Sequence, residues 1–213
     1  MAILMNSPNA DTLRELAVRS HFGGAAAHYS DRIERWPASW LRRREADAVI
    51  EELGRVKGLN LLDLGCGAGF YTHRMLAAGA AGVTAVDSCS EMLAELPNHG
   101  LLRALLCDAA ALPVMGPFDG IVSAGLLEFV ECPESVLNEA RRVVAKNGVL
   151  VLLVPMQNLG GRIYARWHER HSVTVRLFEP LELKNLAAVA GWRQEGITQV
   201  WPFSLVLRLL PVS

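Results

Sequence analysis

Asp63, Gly65, Gly67 and Gly69 follow the apolar pair Leu61-Leu62 and run into Phe70. An acid and then three glycines at alternate positions suit a backbone that must take positive φ or let a ligand come close. The segment Tyr71 to Ala78 beyond them has the pattern of a helix and is closed by Gly79. A helix start offers free N–H groups and partial positive charge to a polar ligand. Strand, glycine turn and helix in that order point to a nucleotide-type ligand lying across the turn. Asp87 ends the next apolar run about twenty residues on, and Asp108 follows a third run about twenty beyond that. The two oxygens of a carboxylate at Asp87 match two vicinal ribose hydroxyls, and an acceptor at Asp108 matches an adenine amino group. The alternative is that both acids merely cap the helices after them. Their joint placement at successive strand ends favours the ligand.

The elements that must position these residues alternate. Ser39 opens a long helical pattern ended by Gly54; its arginine run reads as a solvated face. Before it, residues 10–20 suit a short amphipathic helix, and 21–29 a loop or frayed helix. Strands are expected over 59–64, 83–87, 101–107, 119–124 and 149–154. Between them, Ser88 with Glu91 reads as a capping box for a helix to about Leu96. Pro133 sits at a first helical position, with Val136, Leu137, Ala140, Val143 and Val144 as its apolar face and Asn147-Gly148 as its end. Residues 156–178 read as irregular and polar. A last helix over 180–190 and two strands around 197–201 and 204–209 finish the chain, with Pro202 between the strands. Such alternation implies a parallel sheet covered on both faces, closed by an antiparallel pair. Ligands of such sheets lie beyond the carboxyl ends of the strands.

The bulk composition fits this. The chain has 213 residues, 51% of them apolar, and a net charge of −1, so no basic surface advertises nucleic acid. Its four cysteines have neither zinc-ligand nor redox spacing and read as reduced thiols of a cytoplasmic protein. The six histidines form no metal constellation, so no metal is expected. No apolar run is long enough to span a membrane, and residues 1–5 do not read as a signal peptide.

The glycine spacing separates two cofactor classes. A dinucleotide fingerprint wants its third glycine where this chain has Phe70, and the charge of Asp63 would repel a pyrophosphate. An acid there suits a cofactor carrying an ammonium and a sulfonium. In these residues the chain resembles the class I S-adenosylmethionine-dependent methyltransferases of small-molecule type, in the style of the ubiquinone and menaquinone biosynthesis subgroup. Residues 62–69 resemble that family's first motif, Val86-Asp87-Ser88 through Leu93 its second, and Cys107-Asp108-Ala109 with Leu112-Pro113 its third. Residues 118–123 resemble the fourth, residues 139–150 the segment before the fifth strand, and 181–192 the late helix. The likeness is specific over about 59–155 and looser to 192. Phe22, Ala25, Ala27 and Tyr29 are faintly similar to the subgroup's entry segment.

The resemblance implies a Rossmann-like fold: an α/β, doubly wound, mostly parallel seven-stranded sheet with an antiparallel closing strand. It implies one domain, with 1–55 as a helical cover, 56–213 as the core and 156–178 as an acceptor-side insertion. Gly65, Cys66 and Gly67 would line the methionine part of S-adenosylmethionine, and Asp63 would orient its amino group. Asp87 and Ser88 would hold the ribose, Asp108 and Ala109 the adenine, and Ser123 would face the sulfonium.

The expected reaction is methyl transfer to a small-molecule acceptor, amphipathic or anionic, by a monomer or homodimer, with no nucleic acid partner. Ser123-Ala124-Gly125-Leu126 lacks the acid or Asn, two prolines and aromatic of adenine-N6 methyltransferases. Tyr29, Glu128 and Gln157 are the candidate acceptor contacts, although Tyr29 and Trp36 suit packing equally well. Glu128 falls where many family members carry His; the alternative is a helix-start acid. Arginines and aromatics over 157–176 suit a flat or anionic acceptor, or simply a solvated helix. The rival functions are a non-catalytic binding protein on the same fold and a nicotinamide-dependent reductase.

Overall fold

Leu61 faces one side of the sheet while Leu62 and Leu64 face the other, and the central strands repeat this alternation. The computed structural model describes residues 38–212 together with Val18, Ser20, His21, Gly23 and Gly24. These five residues have helical backbone; the rest of the expected helix over 10–20, most of 21–29, and Phe22, Tyr29 and Trp36 lie outside the described residues.

The described strands are β1 (Asn60–Leu64), β2 (Gly82–Asp87), β3 (Leu102–Leu106), β4 (Phe118–Ala124), β5 (Val144–Pro155), β6 (Trp192–Val200) and β7 (Ser204–Pro211). They form one sheet in the order β3-β2-β1-β4-β5-β7-β6. The first five pair in parallel, and β7 runs antiparallel to both β5 and β6. The expected seven-stranded, mostly parallel sheet with an antiparallel closing strand is therefore the observed fold. Reversal of strand order beside β1 leaves the carboxyl ends of β1, β2 and β4 on one edge, where ligands of open α/β sheets sit.

The helices are α1 (Ala38–Leu53), α2 (Phe70–Ala77), α3 (Ser90–Ala94), α4 (Pro133–Val143), α5 (Leu159–Glu169) and α6 (Pro180–Val189). Val49 and Leu53 of α1 and Met75 of α2 bury against Leu61, Val122, Val151 and Val206 on one face. Val136, Leu137 and Ala140 of α4 and Leu183 and Ala187 of α6 bury against Leu62, Ile121, Leu150 and Leu207 on the other. Both faces of β5 are thus covered, which explains its unbroken apolar run. Trp192, 1% exposed, ties the second layer together by donating its Nε1 proton to the carbonyl of Leu137 at 3.0 Å.

Three local expectations need correction. No Ser88–Glu91 capping box forms: α3 starts at Ser90, and the Asp87 carboxylate receives the Cys89 N–H. Asn147-Gly148 do not end α4, which stops at Val143; they lie inside β5, beside a register shift opposite Phe118 and Gly120. A Cβ at Gly148 would sit 2.7 Å from Val144 Cγ2 and 2.9 Å from the Phe118 carbonyl oxygen, so close approach rather than a turn requires this glycine. Residues 156–178 are not irregular throughout, because α5 forms there; Asn158 caps it by accepting the Gly161 N–H at 2.8 Å.

Replacing Trp192 by Ala removes the largest fully buried side chain and its hydrogen bond. The expected cost is about 3–5 kcal/mol. It is read as a lower urea midpoint at an unchanged slope, and an unshifted midpoint would mean that this layer does not depend on Trp192.

Candidate functional site

The turn between β1 and α2 is fastened to the end of β2. The N–H groups of Gly65 and Cys66 donate to the Val86 carbonyl at 2.8 and 2.9 Å. Asp87 accepts the Gly67 N–H on one carboxylate oxygen at 2.8 Å and the Cys89 N–H on the other at 2.9 Å. Gly65 has φ +69°, and a Cβ there would lie 3.0 Å from Leu126, so glycine is required by conformation and by space together. Asp63 is 1% exposed and accepts the Thr72 hydroxyl at 2.6 Å, which anchors the first turn of α2 to β1.

A cavity of about 440 Å³ opens beside this turn. At one end its wall is Gly65, Cys66, Gly67, Asp87, Ser88 and Met92. At the other it is Arg42 and Glu45 of α1, Glu128 and Phe129 after β4, Tyr164, Trp167 and His168 of α5, and Phe203 and Ser204 at the start of β7. Ala124, Gly125 and Leu126 form the wall between the two ends in sequence. The second end is aromatic: Tyr164 stacks on Phe203 at 5.0 Å, and His168 meets Tyr164 and Trp167 edge-on at 4.6 and 4.7 Å.

Burial dominates the electrostatics. It pushes the Glu128 carboxyl up to about 8; a backbone N–H and Arg42 oppose the rise and Glu45 adds to it. One carboxyl oxygen of Glu128, Oε2, has no hydrogen-bond partner among the described residues. Burial pushes Asp63 up to about 7 against the hydrogen bonds from Thr72. It holds the His168 imidazole down at about 4, helped by His21, His171 and Arg42, and Nδ1 of that ring is also without a partner. Arg42 lies 3.7 Å from Glu45, which also accepts the Ser204 hydroxyl. Burial raises the Cys66 thiol as well, so this residue is inert as a nucleophile.

Of the sequence-predicted residues, the cavity gathers Gly65, Cys66, Gly67, Asp87, Ser88 and Glu128. Asp63 stands behind the wall. Asp108 is exposed and caps the following turn by accepting the Ala110 N–H at 2.8 Å, while the Ala109 side chain packs in the core. Ser123 is buried, with its hydroxyl unpaired, one residue before the wall. Gln157 is exposed and outside the cavity lining. Arg162, Arg166 and Arg170 are exposed, and Arg176 pairs with Glu182 at 2.7 Å, so the arginines of 157–176 do not line the cavity, whereas its aromatics do. Arg42, Glu45, Tyr71 and Ser204 had no signal as site residues; each reads as an ordinary helix or strand position, and only the packing of α1 and β7 around the strand ends makes them neighbours. Among the described residues, no group of three or more His, Cys, Asp or Glu is placed to hold a metal, and no helix is long and apolar enough to cross a membrane.

The raised Glu128 carboxyl has a consequence for stability. A group whose pKa is higher folded than unfolded holds stability at low pH and loses it as pH rises through the folded value. Between its ordinary 4.5 and about 8, Glu128 therefore costs the folded state roughly 1 kcal/mol per pH unit. Denaturant unfolding should show Glu128→Gln gaining on the wild type from pH 6.5 to 8; parallel stability curves would mean that Glu128 ionises normally. His168 contributes little to this window, because its depressed pKa removes stability only as pH falls from 6.5 toward 4.

Comparison with known proteins places this geometry. Residues 62–152 match the family profile described as a methyltransferase domain. The chain is 30% identical over 183 residues to the malonyl-(acyl-carrier protein) O-methyltransferase of Alcanivorax borkumensis, covering 83% of this chain and 58% of that one. It is 27% identical over 137 residues to the tRNA U34 carboxymethyltransferase of Shewanella sediminis, covering 61% of this chain and 40% of that one. It is 28% identical over 180 residues to the ubiquinone biosynthesis O-methyltransferase of Bordetella pertussis, covering 73% and 74%. The chain thus spans about half the length of the first two relatives. Among solved structures, the 1,6-didemethyltoxoflavin-N1-methyltransferase of Burkholderia thailandensis, bound to 1,6-didemethyltoxoflavin and S-adenosylhomocysteine, superposes with a TM-score of 0.75 at 20% identity, covering 100% of this chain and 95% of that one. Motifs, fold and domain match agree: residues 62–152 are similar to methyltransferase domains, on a sheet shared with a solved methyltransferase that binds S-adenosylhomocysteine.

Proposed function

We propose that this chain transfers a methyl group from S-adenosylmethionine to a small molecule. One observation carries the reading: one cavity is lined both by the glycine turn with Asp87 and by a set of aromatic and acidic side chains. The first end fits the cofactor. Gly65, Cys66 and Gly67 leave the wall thin enough for the methionine part, and the Asp87 carboxylate on the same wall suits the ribose hydroxyls. Ser88 stands beside it, and Asp108 with Ala109 follows the neighbouring strand as the adenine contact. The Asp63 contribution is indirect, through Thr72 and the seating of the turn. Ser123 acts through its neighbours Ala124 and Gly125, which form the wall on the sulfonium side.

The cofactor supplies an already activated methyl carbon. What this chain adds is positioning, worth roughly 7–11 kcal/mol in well-oriented systems. The second end of the cavity takes the acceptor. Its concave shape and aromatic walls support a small molecule over RNA, even with a tRNA-modifying enzyme among the relatives. Residues 1–55 serve as a cover of the same domain, which the packing of α1 on the sheet supports. Gln157 receives no role.

Calorimetric titration tests the reading. S-adenosylmethionine should bind at micromolar level and NADH should not. Asp87→Ala and Gly67→Val should each weaken S-adenosylmethionine at least about tenfold. Binding of NADH alone would restore the reductase, binding of neither would favour a non-catalytic protein, and unchanged affinity in both variants would sink the site. With labelled cofactor, methyl groups should appear in a metabolite extract and not in total RNA.

A further inference from the structure

We infer that Glu128 is the catalytic base toward a flat, uncharged acceptor that carries a hydroxyl group. The inference rests on the methyl-transfer reading and names the acceptor class for the same cavity.

Three observations converge on it. Glu128 lines the cavity, is 3% exposed and keeps Oε2 without a hydrogen-bond partner among the described residues. A buried carboxyl that lines a cavity and whose hydrogen bonding is incomplete is suited to a ligand's polar hydrogen. Phe129, Tyr164, Trp167, His168 and Phe203 line the same cavity and pack ring against ring, an aromatic wall suited to a flat acceptor. The charges of this end also cancel. Arg42 pairs with Glu45 at 3.7 Å, Glu45 is held further by Ser204, and His168 is neutral. Among the described residues, Tyr71, whose hydroxyl burial keeps protonated, His21 and Tyr164 are the other titratable groups facing this end. An anionic acceptor would therefore face a guanidinium already neutralised by a carboxylate, while a neutral hydroxyl meets the Glu128 carboxyl on the cavity wall.

A hydroxyl acceptor must lose a proton as it is methylated. That proton passes to the ionised Glu128 carboxylate. The oxygen's electron pair forms the new O–CH3 bond, and the C–S bond breaks with its pair remaining on sulfur. Burial places the ionisation of Glu128 close to the pH at which a base is most effective, since a base must be both ionised and strong enough to hold the proton. His168, with its depressed pKa, is too weak for that exchange at neutral pH and acts as a wall and a polar contact.

The test uses 2-naphthol as the neutral probe and 2-naphthoate as its anionic counterpart. With S-adenosylhomocysteine present, calorimetry should give 2-naphthol at least about tenfold tighter than 2-naphthoate. With S-adenosylmethionine, methylation of 2-naphthol should rise through about pH 8. Glu128→Gln keeps the shape and neutrality of the protonated acid, so it should melt at or above the wild type at pH 6, and its affinity for both ligands should stay near wild type. Its transfer rate should fall about 10²-fold, and its rising limb should move up to the ionisation of the naphthol itself. Glu128→Asp should recover part of the rate. Tighter binding of 2-naphthoate, no binding of 2-naphthol, or an unchanged limb in Glu128→Gln would each overturn the inference. Failure of the wild type to bind S-adenosylmethionine would instead overturn the methyl-transfer reading beneath it.

Discussion

The carboxylate of Asp87 holds the site together. Its two oxygens receive N–H groups from Gly67 and Cys89, and the carbonyl before it receives those of Gly65 and Cys66. Four donors from the glycine turn and the start of α3 therefore end on two consecutive residues of β2. A turn with no side chains to brace it takes its shape from the neighbouring strand. Charge-assisted bonds are about twice as strong as neutral ones, so the carboxylate half of this clasp dominates. Leu126 then seats against Gly65, which brings the end of β4 up to the same turn. The three strand ends become a single wall.

Two buried acids show how partners, rather than burial alone, separate structure from chemistry. Asp63 and Glu128 are both shifted upward chiefly by loss of water. Asp63 receives a short hydrogen bond from Thr72 and has no access to the cavity, so its work is done in the folded state: it joins β1 to α2. Glu128 stands on the cavity wall with an oxygen unpaired among the described residues. A fold gains nothing from an unpaired buried carboxyl, which costs more than an apolar side chain of the same size. Such a group is retained where a ligand completes it.

The sequence made the cofactor end legible because its signals are local. The acid and glycines of 63–69 and the acid of 87 are read from spacing along strands that the period-2 pattern of their neighbours reveals. Boundaries suffered where a local signal had two physical meanings. Asn147-Gly148 carries turn chemistry, yet Gly148 is there because Val144 and the Phe118 carbonyl leave no room for a Cβ. Ser88 and Glu91 have capping-box spacing, but the stronger acceptor one residue earlier, Asp87, takes the free N–H. Asp108 does cap its turn, so the plain reading of that residue holds in the structure whatever else it contacts. The acceptor end was not legible, because the Arg42–Glu45 pair of α1, His168 and Ser204 are far apart in the chain and meet only through packing.

That difference coincides with the family boundary. The methyltransferase domain covers 62–152 and contains every cofactor-end residue of the wall, from Gly65 to Met92. Arg42, Glu45, Tyr164, Trp167, His168, Phe203 and Ser204 all lie outside it, on α1, α5 and the start of β7. The core presents the same edge whatever covers it, so the covering helices set the size, polarity and charge balance of the acceptor end. Glu128 and Phe129 are the exceptions, inside the domain but past the end of β4, where the backbone leaves the sheet and is free to vary. A reactive carboxyl fixed to the core and a surround supplied by helices from outside it can change independently. On this division, changes at α1 and α5 alter which molecule is accepted, and changes at Glu128 alter whether its proton can leave.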